Sequence, residues 1–166
     1  MLKRLWMILL LCLMLPGCST EVYETMSDQY VQPQGLKPAE VLLMLPQEAS
    51  LMTAKEETDN RFYICKDFTL SVQTLPAGDL GKTLQTVSGF SRENISLVEL
   101  TQGDIRRYEC VWVSAGEQED QICKAVILDD GDFHYVLIMQ AGAEDAFALR
   151  QTWNEIASTV SLDTGR

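Results

Sequence analysis

A chain of 166 residues with 46% apolar content is long enough for one domain with a real core. Its 24 acidic against 13 basic residues give a net charge of −11, which repels phosphates and anionic lipid. Nucleic-acid binding and docking through a basic patch are thereby disfavoured, whereas a hydrophobic anchor is not.

The chain opens on a positive start, Met1-Leu2-Lys3-Arg4, followed by an unbroken apolar run over residues 5–15, "LWMILLLCLML". As a helix this run would rise roughly 16 Å, against a bilayer core of about 30 Å, so it is too short to span. It has the length of the apolar region of an export signal, with Gly17-Cys18 as the small residues that mark cleavage. Loss of residues 1–17 removes Lys3 and Arg4 and takes the net charge from −11 to −13.

This segment resembles the lipobox of bacterial lipoproteins, which has Leu three before a Cys and a small residue one before it. Leu15, Gly17 and Cys18 match, and Pro16 departs from the usual Ala, Ser, Thr or Val. The resemblance implies that Cys18 takes a diacylglycerol on sulfur and becomes the first residue of the mature chain. Two or three acyl chains, at about 0.8 kcal/mol per buried CH₂, anchor a protein where one would not. The expected location is the bacterial cell membrane, lipid-anchored and facing the extracytoplasmic side. Residues 18–35 are polar, with few aliphatics and a late Pro and Gly, and read as a flexible tether; residues 36–166 read as a single α+β domain.

Within the domain, residues 37–45, "KPAEVLLML", predict a short helix, with Pro38 at a first helical position and Pro46 as its stop. Residues 47–59 give no firm pattern. Residues 61–75 predict two extended pieces joined near Lys66-Asp67, since Phe68, Leu70 and Val72 alternate with polar neighbours. Asp79 reads as an N-cap, Leu80, Leu84 and Val87 as the apolar face of a helix, and Gly89 as its stop. Strands are expected over 95–100, 105–114, 121–128 and 133–141, joined by the polar turn 115–120 and the tight turn Asp130-Gly131. Connections this short exclude crossover helices and specify an antiparallel meander. A last helix carries Ala146, Leu149, Trp153, Ile156 and Val160 on one stripe. The fold class is α+β: an antiparallel sheet packed with helices.

The strand "GDFHYVLIMQA" followed by "LRQTWNEIASTVSL" resembles the PsbP-like fold, whose members include extrinsic photosystem II subunits and a Ran-binding import factor. The resemblance covers residues 105–162. It implies an α/β/α sandwich that usually binds a protein partner rather than catalysing.

Several motifs could carry chemistry. "PAGDLGKT", residues 76–83, approximates a phosphate-binding loop, but Pro76 replaces the first Gly and Asp79 puts a carboxylate where phosphate oxygens belong. No nucleotide is therefore expected, and the stretch reads as a capped helix start with Lys82 exposed. Asp129-Asp130-Gly131-Asp132 offers oxygens for calcium, yet the loop is too short to wrap an ion and reads as a hairpin turn. His134 is the only histidine, so any hydroxyl or thiol triad would need it, and no Gly-x-Ser-x-Gly elbow exists. One His and no Cys-x-x-Cys give no zinc cluster. No catalytic residue, metal ligand or cofactor is assigned.

Cys12 leaves with the signal and Cys18 forms the anchor, which leaves Cys65, Cys110 and Cys123. A hairpin turning around residues 115–120 allows Cys110 to face Cys123, and pairing them also sets Glu109 opposite Lys124 and Val111 opposite Ile122. Export permits a Cys110–Cys123 disulfide, with two buried reduced strand residues as the other possibility.

These readings converge on a membrane-anchored lipoprotein that acts without catalysis, as a binding, accessory or scaffold protein with a partner in the cell envelope. Trp112 and the acidic turn 117–120 are candidate contacts, although a strand Trp is more often core. The alternative is a small-ligand or peptide-binding module associated with a membrane transporter. An apolar pocket would favour the ligand, and a flat face with an exposed aromatic patch the protein partner.

Overall fold

The computed structural model describes residues 36–55, 60–116 and 119–163. The export signal, Cys12, Cys18 and the tether lie outside the described residues. The elements in chain order are β1 (Glu40–Leu42), β2 (Ser50–Lys55), β3 (Asn60–Ile64), β4 (Thr69–Pro76), α1 (Leu80–Ser88), a 3₁₀ turn (Arg92–Asn94), β5 (Leu97–Gln102), β6 (Ile105–Ser114), β7 (Gln121–Asp129), β8 (Phe133–Gly142), α2 (Ala143–Ala146), α3 (Arg150–Thr159) and β9 (Ser161–Asp163). Seven strands form one antiparallel sheet in the order β2-β3-β4-β8-β7-β6-β5, and β1 pairs with β9 in a separate ribbon.

The α+β class expected from the sequence is what is found, with helices on both faces of the sheet. Strand β8 lies between β4 and β7 and is covered on both sides, which is why "FHYVLIMQA" is apolar almost throughout. One core layer joins Leu70, Val72, Val126, Leu137 and Met139 to Trp153 and Ile156 of α3. The other joins Tyr108, Cys110, Trp112, Ala125, Ile127 and Val136 to Leu84 of α1. Trp112 is thus a core residue under α1, not a surface contact.

Helix α1 starts and stops as its sequence dictates. The Asp79 carboxylate accepts the Gly81 N–H at 2.8 Å, and Gly89 ends the helix at φ +78°, where a Cβ would be strained. A helix over 37–45 does not form; instead the segment contains β1. Tertiary partners take its backbone groups: Ala39 N donates to the Tyr135 hydroxyl, Arg61 donates to the Val41 carbonyl, Met44 N donates to Thr159 Oγ1, and residues 40–42 pair with 161–163. Fixed long-range hydrogen bonds outweigh the small propensity of one short turn. The C-terminal helix is broken into α2 and α3. Leu149 N reaches the Asp145 carbonyl while Arg150 N reaches Phe147, a tightened turn before the regular bonds resume at Trp153. Strand β2, with a register shift between Leu51 and Thr53, occupies the stretch that had no firm pattern.

Candidate functional site

A hydroxyl, the single imidazole and a carboxylate meet inside the fold. Thr83 Oγ1 of α1 lies 2.7 Å from His134 Nδ1 of β8, and Asp129 Oδ2 of β7 lies 3.7 Å from His134 Nε2. Asp129 also takes Arg106 at 3.2 Å and the Gly131 N–H at 2.8 Å. Burial holds His134 below the usual imidazole pKa, with the Asp129 charge pulling the other way. The order of groups is that of a nucleophile, base and orienting acid. However, Thr83, His134 and Asp129 are only 6%, 1% and 6% exposed, and neither cavity described below is lined by them. The chain of groups joins α1 to the β7–β8 hairpin. His134 is buried within the fold.

The acidic turn is similarly internal in its bonding. Asp130 accepts the Asp132 and Phe133 N–H groups through one oxygen and the Tyr135 hydroxyl through the other, while Gly131 takes φ +95°. The carboxylates serve the turn and the tether point at Ala39. Lys82 is exposed beyond the Asp79 cap, and Thr83, the last residue of the phosphate-loop-like stretch, faces the core.

The expected cysteine pairing is corrected by the register. Cys110 lies opposite Ala125 and Cys123 opposite Trp112, because the hairpin is centred on residues 115–120, whereas a Cys110–Cys123 pair needs a centre one residue earlier. Cys65, Cys110 and Cys123 are free and buried. Burial pushes the Cys110 thiol up to about 11, so it is a protonated apolar filler. The Glu109–Lys124 pair does form, at 3.5 Å, but along the diagonal. The turn itself is polar, with Glu119 and Asp120 exposed and residues 117–118 outside those described.

The surface feature that stands apart lies on the other side of β6. Helix α3 covers β7 and β8 but leaves the face of β5 and β6 open. There Val98, Leu100, Val111 and Val113 are each about half exposed, at 59%, 49%, 52% and 49%. Where the open face runs under α2 and α3 it becomes a groove of about 580 Å³. Val98, Val111 and Ile122 line it from the sheet, and Ala146, Arg150 and Trp153 from the helices. Three charges are fixed beside it. Arg107 donates to Glu109 Oε1 through Nε and Nη2 at 3.0 and 2.8 Å, and Lys124 reaches Glu109 Oε2 while donating to Asn154 at 2.8 Å. Burial pushes the Glu109 carboxyl up, but Arg107 and Lys124 outweigh it and hold it below the ordinary range. Arg107 also donates to the Ala157 carbonyl at 2.7 Å, which satisfies the end of α3 and pins it to the sheet. A second cleft of about 480 Å³ lies by Phe62, Lys66 and Gln140.

None of the groove residues stands out as a chemical motif. The available signal is "CVWV", residues 110–113: four apolar residues in succession in a strand whose alternate members face opposite sides. Such a strand is apolar on both faces, and α1 covers only one of them.

No family model matches the chain, and no curated protein matches it. Solved structures do. A Bacteroides thetaiotaomicron protein is 12% identical over 76% of this chain, with a TM-score of 0.51; the match spans 46% of that longer chain. The Saccharomyces cerevisiae Ran-binding protein Mog1p is 13% identical over 75% of this chain and 92% of its own, with a TM-score of 0.49. Cyanobacterial PsbP from Synechocystis is 11% identical over 78% and 96%, also at 0.49. At these identities the likeness concerns the fold alone.

Proposed function

We propose that this chain is a lipid-anchored lipoprotein of the bacterial cell envelope, facing the extracytoplasmic side. It acts by binding, as an accessory or scaffold protein, rather than by catalysis. The observation that carries the binding role is the open apolar face of β5 and β6, with the groove beside it. Contiguous apolar surface of this kind marks interaction sites. The hydroxyl–imidazole–carboxylate chain is closed to substrate by its burial, which supports the non-catalytic reading. The anchor reading rests on the Leu15, Gly17 and Cys18 pattern after a short apolar run. Among the described residues no helix is long and apolar enough to cross a membrane.

The groove gives specific support to the alternative, a small-ligand module working with a membrane transporter. Its volume is within the roughly 300–1,000 Å³ range of ligand sites, and its walls are largely apolar. Partner and ligand would use adjoining parts of one face.

Two measurements test this proposal. Radiolabelled palmitate should label the wild-type chain and hold it in the membrane fraction, and Cys18→Ala should lose the label and leave that fraction. Cross-linking in intact envelopes followed by mass spectrometry should capture defined envelope partners through residues 97–113. A Cys18→Ala variant that stays fully membrane-bound would sink the anchor, and cross-links scattered evenly over the domain would sink the binding face.

A further inference from the structure

The groove can be read one step further, and this deepens the ligand reading given above. Its floor is formed by side chains of β5, β6 and β7 at one end of the sheet, where the ladders 97–102 with 105–110 and 106–114 with 121–129 take up the backbone groups between the strands. The free N–H and C=O groups of β5 lie in the plane of the sheet at its outer edge, not in the groove floor. An extended peptide lying in the groove would therefore leave its main chain unpaired, which is costly. A hydrocarbon chain needs no such partners, and Val98, Val111 and Ile122 offer it an apolar bed.

The charge in the groove runs against that of the whole molecule. The chain carries −11, yet the charged side chains lining the groove are Lys124 and Arg150 against the single carboxylate of Glu109, an excess of one positive charge, and that carboxylate is also held by Arg107. Arg150 has no ion-pair partner among the described residues. Trp153 also lines the groove, and its indole N–H, buried with the rest of a side chain only 3% exposed, has no acceptor among the described residues.

We propose that the groove binds a long-chain fatty acid, with the alkyl chain along Val98, Val111 and Ile122 and the carboxylate at Arg150 in the excess positive field. Phe147, 83% exposed between the lining residues Ala146 and Arg150, adds apolar surface at the mouth.

The test uses the full chain in isolated bacterial membranes and a C16 fatty acid carrying a diazirine. On illumination the label should enter peptides covering residues 96–111 and 146–154. Palmitate should compete, and hexadecanol, which lacks the charge, should compete about tenfold less well, the size of one charge-assisted contact. Arg150→Glu changes an exposed side chain, so it should fold normally and lose labelling by a similar factor. Val111→Trp should fill the groove and abolish labelling at an unchanged melting temperature. Labelling confined to residues 1–35, spread evenly over the domain, or insensitive to both variants would overturn the proposal. Equal competition by hexadecanol would overturn the carboxylate site. Envelope partners still captured in the absence of groove labelling would overturn the fatty acid and leave the broader binding role standing.

Discussion

Thr83 and His134, 51 residues apart in sequence, bring hydroxyl and imidazole within 2.7 Å of each other between α1 and the central strand β8. Their contact closes one side of the core, and Asp129 with Arg106 completes the line outward to solvent. It is the main polar link in an otherwise apolar layer around Leu84, Tyr108 and Trp112.

His134 makes stability depend on pH. Burial lowers its folded pKa below the ordinary imidazole value of 6.5, with Asp129 and Asp130 raising it and Arg106 lowering it further. The unfolded chain then binds the proton more readily. Stability is full above about 6.5 and falls as pH drops from there towards the folded pKa, where the loss is complete. Urea unfolding at a series of pH values should show this slope in wild type and a flatter one in His134→Gln. Thr83→Val, which strands an imidazole nitrogen, should cost about 1–3 kcal/mol.

Tyr135 ties the start of the domain to the β7–β8 turn. Its hydroxyl donates to Asp130 and accepts the Ala39 N–H, both at 2.8 Å. Tyr135→Phe should cost about 1–3 kcal/mol by leaving these partners unsatisfied. Hydrogen exchange should locate the effect: Ala39 should lose protection while Leu137 and Met139 keep theirs. Loss of protection throughout β8 would show that the hydroxyl supports the whole core.

The cysteines should behave as buried thiols. At pH 8 the folded domain should resist alkylation, because burial raises the pKa of all three and takes that of Cys110 to about 11. In denaturant without reductant, intact mass should show alkylation at Cys65, Cys110 and Cys123. A mass two protons short, with one thiol reacting, would establish a bridge and refute the register.

Helix α1 should respond at its two ends and not at its lysine. Asp79→Ala removes the cap on Gly81 and should cost about 1 kcal/mol. Gly89→Ala forces a Cβ into φ +78° and should cost about 1–2 kcal/mol. Lys82→Ala should change stability by less than about 0.5 kcal/mol, since the residue is exposed. Thermal unfolding of the three variants checks all of this.

Packing under the groove can be tested through Trp153, whose ring meets Phe68 edge-on at 6.2 Å. Trp153→Ala should cost about 3–5 kcal/mol. Trp153→Phe keeps most of the buried area and removes the unpartnered N–H, so calorimetry should find a much smaller loss.

Much of this fold was legible in local chemistry. The Asp79 cap and Gly89 stop need only a carboxylate at one helix end and a residue free to adopt positive φ at the other. The strands of the meander were legible because alternation and turn residues are short-range signals, and β6 runs over 105–114 as its pattern predicts. Other features required the assembled sheet. Residues 40–42 are a strand only because residues 161–163 come back beside them, a contact 123 residues distant at Glu40–Asp163. The groove exists because α3 is too short and too far to one side to cover β5 and β6, so residues that read locally as core are left open. Short-range patterns determined the elements; long-range packing decided which of their apolar faces would find a cover and which would remain to bind something else.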